Sequence, residues 1–283
     1  MYNFCMIIWL ASYPKSGNTW LRTFLISLLS GKELNINKLN LIPQYPKEEY
    51  FKNITKDFSN IIEVSEKWIE SQNLINSDKK LKFLKTHNML CNVGENYFTN
   101  PENTLGGIYV VRDPRNVITS IKNHYQFETY EESLEFMIDE NKYLGSKYGT
   151  KKDSVPTIIG SWGTNYNSWK IMKKNFILLK YEALLKETFS EFNKLSKHIE
   201  KITNFKFGSI KVKKAIESCS FQNLKKMEKK DGFIESPYNK ITKKNQVFFN
   251  LGPDNNWEIL LSNKIRIKIE KFFEKEMREL GYI

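Results

Sequence analysis

A lysine stands in the middle of a short polar loop, Tyr13-Pro14-Lys15-Ser16-Gly17-Asn18-Thr19-Trp20. The loop separates an apolar run over residues 4–11 from a helical pattern with Leu21, Phe24, Leu25 and Leu28 on one face. An apolar run, a loop bearing Pro and Gly, and a 3.6-residue repeat read as buried strand, tight turn and amphipathic helix. In that arrangement the loop amides and the unbonded amides of the helix's first turn converge on one point, with the positive end of the helix dipole behind them. Such a point suits an anion. The triphosphate-binding pattern G-x-x-x-x-G-K-[ST] offers a comparison. With Gly17 on its second glycine, Ser12 falls on the first, Asn18 replaces the lysine and Thr19 takes the Ser/Thr position. The cation has moved back to Lys15, where an ammonium can hold the junction between a phosphate and the group leaving it. Magnesium with a triphosphate tail is poorly served by this loop. Taken alone, a strand-turn-helix corner with an incidental lysine gives the same pattern.

Three other places carry candidate chemistry. Residues 81–86, LKFLKT, read as a short strand ending at His87, and open α/β sheets put their chemistry in loops after parallel strands. If that strand neighbours the first one, His87 lies at the edge that holds the lysine loop; by itself a lone His there also fits a structural role. Residues 106–111, GGIYVV, form a third strand, after which Arg112-Asp113-Pro114-Arg115 turns into a helix with Val117, Ile118 and Ile121 inward. Asp-Pro is good capping chemistry for that start. Arg112 leaves the strand tip, where an ion pair with Asp113 or another acid would give it a structural role. A fourth strand, FILLK over residues 176–180, delivers Tyr181-Glu182, with Tyr181 open to a structural or a binding role.

The remaining chain supplies supports. Gly31 closes the first helix, a polar segment over 32–80 holds a helix near 63–75 and forms a lid or substrate-side insertion, and residues 130–141 are helical and acidic. The Gly/Lys-rich stretch 145–157 is a candidate mobile rim. Residues 160–174 read as a helix with Trp162, Tyr166 and Trp169 on one side. Helical patterns follow at 189–202 and 212–227. Residues 225–244 are charged, carry Gly232 and Pro237 and lack apolar periodicity, which reads as a flexible loop. A long amphipathic helix over 257–280 ends the sequence before Gly281.

Composition bounds the function. A chain of 283 residues with 40% hydrophobic and 14% aromatic content can bury a substantial core. The net charge of +12 invites a nucleic-acid partner, but the lysines are scattered and no nucleic-acid motif accompanies them. Three widely spaced cysteines imply no disulfide framework. His87, His124 and His198 share no ligand spacing, so no metal site is expected. The first apolar run is too short to span a bilayer and flows into the loop with no cleavage site, so a soluble, unsecreted, cytoplasmic protein is expected.

The loop Tyr13–Trp20 resembles the 5′-phosphosulfate loop of PAPS-dependent sulfotransferases, which move a sulfuryl group from 3′-phosphoadenosine-5′-phosphosulfate (PAPS) to a hydroxyl or amine. Residues 108–125, IYVVRDPRNVITSIKNHY, resemble that family's second motif, with Arg112 and Ser120 on the Arg and Ser that hold the 3′-phosphate. Tyr181 matches an adenine-contacting Tyr. Ser220-Phe221 matches a Ser/Thr-rich turn whose aromatic covers the adenine, with Cys219 where Thr is common. Residues 248–257 resemble the third motif, R-K-G-x-x-G-D-W, in register on Gly252 and Trp257, but Asn250 and Leu251 stand where two basic residues clamp the 3′-phosphate. Lys243 or Lys244 is a candidate substitute. The resemblance implies an α/β fold, a single domain over 1–283 with a central parallel sheet flanked by helices, of the P-loop nucleotide-binding type. It implies Lys15 at the bridging oxygen and Ser16, Gly17, Asn18 and Thr19 around the 5′-phosphate. It also implies Trp20 on the adenine, His87 as general base with Lys85 assisting, and no metal. PAPS would leave as 3′-phosphoadenosine 5′-phosphate (PAP), and the acceptor would be a small molecule or glycan. A P-loop nucleotide kinase and a non-catalytic nucleotide-binding relative are the alternatives.

Overall fold

The computed structural model describes residues 6–31, 33–145, 155–239 and 242–283. Cys5 and most of the rim expected at 145–157 lie outside the described residues. In chain order the main elements are β1 (Ile7–Ala11), α1 (Asn18–Ser30), α2 (Ile61–Glu66), α3 (Trp68–Asn76), β2 (Lys82–Thr86) and β3 (Thr104–Val111). There follow α4 (Pro114–Tyr125), α5 (Tyr130–Ile138), α6 (Trp162–Lys170), β4 (Phe176–Lys180), α7 (Tyr181–Lys186) and α8 (Thr188–Ile202). The last are α9 (Ser209–Ser218), α10 (Phe221–Asp231), α11 (Trp257–Leu260), α12 (Asn263–Phe272) and α13 (Glu274–Glu279). They form two compact units. One holds the chain to Pro14 with Ile42–Val111 and Ile138–Leu178; the other holds Lys15–Leu41, Arg112–Met137 and Leu179–Ile283.

The first unit is built on a four-stranded sheet in the order β2-β1-β3-β4, whose last strand runs on past Leu178. β1 pairs in parallel with β2, Ala11 opposite Thr86, and with β3, Ala11 opposite Tyr109. Every residue of β1 is buried, as expected of a central parallel strand covered on both faces, and this is why its sequence is a continuous apolar run. From β1 the chain goes first to one side and then to the other, so the strand order reverses there, and open α/β sheets bind ligands at that point. Trp9 packs against Tyr45 and Phe98, with ring centroids 5.4 and 5.1 Å away.

In the second unit α1 packs on α9, and α9 on α8. Phe24 and Phe192 meet at 4.1 Å. Gly31 ends α1 in the left-handed region, its N–H bonded to the Ser27 carbonyl, as expected. Asp113 caps α4 by accepting from the Arg115 N–H, with Pro114 in the first turn.

Four expected elements differ. The helix near 63–75 is two helices broken at Lys67, and the pattern at 212–227 is broken at Cys219 and Ser220. The charged stretch from 225 is helical as far as Asp231: Ser220 caps α10 through the Asn223 N–H, Leu224 is its buried anchor, and Lys229 and Lys230 sit in the last turn, favourable to the helix dipole. The long terminal helix is three short ones. Leu261 is extended and the Ser262 hydroxyl caps α12 through the Ile265 N–H, a local bond that competes with helix continuation.

Candidate active site

The second unit carries the lysine loop from Lys15 onward. Lys15 and Gly17 both lie in the left-handed region, at φ 65° and 106°. Alternation of this kind turns successive amides toward one concavity that favours an anion. Gly17 is the N-cap of α1, so no side chain stands before the first-turn amides. A Cβ at Gly17 would lie 2.6 Å from Cδ2 of Tyr181, so this glycine is required by both its dihedral and the ring. Ser16 is buried and, among the described residues, its hydroxyl has no hydrogen-bond partner. A buried hydroxyl left unsatisfied is unfavourable, and this one fits a site whose remaining acceptor arrives with an anionic ligand. The Lys15 Nζ lies 3.3 Å from Nδ1 of His124 and 4.1 Å from the centroid of Phe248.

Tyr181 joins three of the expected residues. Its ring lies under the Arg112 guanidinium at 4.2 Å, meets Trp20 edge-on at 5.7 Å and closes against Gly17. Arg112 also donates from Nη1 to the Lys15 carbonyl at 3.4 Å. Asp113 pairs instead with Arg115, whose Nη2 is 2.7 Å from Oδ2, and Arg115 reaches Glu270 at 2.8 Å. The structural ion pair open to Arg112 in the sequence thus belongs to Arg115. Burial pushes the Glu182 carboxyl above the usual range, although it accepts from the Asp113 N–H and the Tyr282 hydroxyl.

The third-motif segment is tied to α4. Asn255 is buried; it accepts from the Thr119 hydroxyl at 2.6 Å and donates to the Asn116 carbonyl at 2.9 Å and to the Ser120 hydroxyl at 3.3 Å. Gly252 lies against the ring of Phe221, where a Cβ would come within 2.2 Å of Cε2. Asn250 and Leu251 are exposed, as are Lys243 and Lys244. Thr19 and Asn18 open α1, Asn18 buried and Thr19 half-buried.

The first unit carries His87 and Lys85. The His87 Nδ1 is 2.8 Å from the Ser12 carbonyl oxygen. A carbonyl only accepts, so Nδ1 carries the proton and the neutral ring has its lone pair on Nε2. Asn165 fixes the backbone here: its Nδ2 donates to the His87 carbonyl at 3.0 Å while its Oδ1 accepts from the Tyr109 hydroxyl at 2.8 Å. Lys85 is buried and donates to Oε1 of Gln44 at 3.2 Å.

Three contributors escape sequence reasoning. Asn165, Asn255 and His124 act through partners 78, 135 and 109 residues away. His124 and Asn255 stand inside motif-like segments, 108–125 and 248–257, but no local pattern shows what they touch.

Comparison with known proteins identifies the family and the fold. The sequence model of the sulfotransferase domain family matches residues 7–281. Flavonol 3-sulfotransferase of Flaveria bidentis is 22% identical over 98% of this chain and 83% of its own. Luciferin sulfotransferase of Photinus pyralis is 21% identical over 96% and 72%. In fold, the mouse sulfotransferase SULT7A1 complexed with PAP superposes with a TM-score of 0.54 at 18% identity, covering 97% of this chain and 84% of that one. Retinol dehydratase in complex with androsterone and PAP gives 0.55 at 14%, covering 98% and 82%. With a family match that runs from the central strand through the last helix, the chain belongs to the sulfotransferase domain family and is a sulfotransferase.

Proposed function

We propose that residues 1–283 act as one domain that transfers a sulfuryl group from PAPS to a hydroxyl or amine of a small-molecule acceptor. PAPS, when bound, supplies the sulfuryl group and its PAP leaving group. Ser16, Gly17, Asn18 and Thr19 hold the 5′-phosphate through their amides and the Ser16 and Thr19 hydroxyls. Lys15 places its ammonium at the bridging oxygen, where charge develops as the bond breaks. Trp20, Tyr181 and Phe221 contact the adenine, Gly252 lines the nucleotide site, and Arg112 with Ser120 takes the 3′-phosphate. His87 accepts the acceptor's proton at Nε2, because Nδ1 is committed to Ser12. Lys85 steadies the sulfuryl oxygens.

The observation that carries this reading is the buried, unpartnered Ser16 hydroxyl inside a loop whose Gly17 is closed by Tyr181. Small acceptors are favoured because the named relatives act on flavonols and luciferin. Calorimetric titration with PAP against AMP tests the nucleotide assignment, PAP being expected to bind more tightly. Turnover of ATP that vanishes when magnesium is removed would overturn the assignment in favour of a kinase.

A further inference from the structure

The lysine of the loop has a companion that the proposed chemistry does not use. His124, near the end of α4, brings Nδ1 to 3.3 Å from the Lys15 Nζ. An ammonium has only protons to offer, so Nδ1 is the acceptor and the imidazole proton sits on Nε2. The opposite tautomer is held by His87, whose Nδ1 donates to Ser12. The His124 ring is itself fixed edge-on by Tyr125 at 4.9 Å and by Phe248 at 6.2 Å. Phe248 also lies against the ammonium, and its own place is set by Glu228, whose carboxylate accepts from the backbone N–H of Phe248 at 2.6 Å and of Phe249 at 2.9 Å.

We propose that His124 is a positioning residue for Lys15: its Nδ1 lone pair and the Phe248 ring together fix the ammonium of a lysine whose backbone is already held in the left-handed region. A lysine on a four-carbon stem loses much rotamer freedom on being fixed. Paying that ordering before a ligand arrives tightens anion binding and sharpens the placement of charge during transfer. The inference rests on the proposed role of Lys15 but concerns a contact that exists without ligand.

Two measurements test it. In the ligand-free protein, competitive acetylation with acetic anhydride, read by mass spectrometry at Lys15, is expected to rise several-fold in His124→Phe, which keeps a flat ring between Tyr125 and Phe248 but removes the acceptor. His124→Asn, which retains an acceptor, is expected to stay near wild type. In calorimetry His124→Phe is expected to weaken PAP binding about threefold to tenfold, the range for residues in direct contact. The same substitution in a Lys15→Ala background is expected to change affinity less than about twofold, because the two act as one unit. Equal losses in both backgrounds, or Lys15 labelling that ignores His124→Phe, would overturn the inference. Wild-type protein that fails to bind PAP while Lys15 labelling still responds would instead defeat the nucleotide assignment and leave the His124–Lys15 pair standing.

Discussion

Ser12 presents its carbonyl oxygen to Nδ1 of His87 at 2.8 Å, so the residue just after the central strand sets the tautomer of the histidine that follows the neighbouring strand. The register makes this contact possible, since Ala11 lies opposite Thr86 and the Ser12 N–H bonds to the Thr86 carbonyl. In its neutral form a ring held this way has its lone pair on Nε2, where the proposed base chemistry needs it.

Replacing His87 with Ala is expected to lower sulfuryl transfer by roughly 10²- to 10⁴-fold, the usual contribution of a positioned base. PAP affinity should stay within about twofold, because the nucleotide-holding residues are others. Steady-state rates with calorimetry on the same preparation decide it; a variant with full activity removes His87 from the mechanism.

Gly17→Ala would set a methyl group 2.6 Å from the Tyr181 ring on a backbone at φ 106°. Strain of this kind amounts to about 1–3 kcal/mol. Either the loop or the ring must shift, and both are assigned to the nucleotide. A fall in PAP affinity of about tenfold or more is expected, which is about 1.4 kcal/mol, together with a lower Tm. Unchanged affinity would show that the loop does not contact the ligand.

The path from sequence to site was open where information is local. β1, its loop and α1 could be read because an apolar run, a Gly and a 3.6-residue repeat lie side by side, and the match of residues 176–180 to β4 has the same origin. The terminal helix divides where periodicity predicts continuity, because periodicity alone does not reveal that Ser262 takes the Ile265 N–H and lets Leu261 extend. Arg112 and Arg115 are three residues apart and chemically alike. Only the fold assigns Asp113 and Glu270 to Arg115 and the Tyr181 face to Arg112.

Asn255→Ala should loosen the third-motif segment from α4. Three hydrogen bonds end on this buried side chain, from Thr119 and to Asn116 and Ser120. Leaving their partners unsatisfied costs about 1–3 kcal/mol, and in a chain of this size each kcal/mol lowers Tm by roughly 2–4 °C. Thermal melts with and without PAP check both effects: a lower Tm and a smaller stabilisation by PAP, since Ser120 loses its neighbour.

Glu182 gives a pH dependence with a definite sign. Burial raises its carboxyl in the folded protein, so the native state keeps the proton to higher pH than the unfolded chain does. Its contribution is most favourable below the unfolded value, near pH 4.3 (about, for a free Glu), and is lost as pH rises through the raised folded value. Glu182→Gln removes that slope. The Tm of wild type minus that of the variant should therefore fall as pH rises from the acid range toward neutrality; a difference that rises instead would reverse the assignment.

Asn250 and Leu251 occupy the two positions that are basic in the family motif the segment resembles, and both side chains are exposed. The segment is nevertheless in place: Gly252 rests on Phe221 and Asn255 holds Ser120. Because Asn250 is exposed, a guanidinium introduced by Asn250→Arg is expected to reach the 3′-phosphate that Arg112 and Ser120 are proposed to hold. A charge-assisted hydrogen bond contributes about 1.5–3 kcal/mol, so PAP affinity should rise about tenfold or more while AMP, which lacks the 3′-phosphate, should bind as before. The contrast between ligands isolates the effect from a general gain in positive charge, which would favour both. If Asn250→Arg strengthens PAP and AMP alike, the segment does not face the 3′-phosphate, and the discrimination expected of this site must come from elsewhere in the second unit.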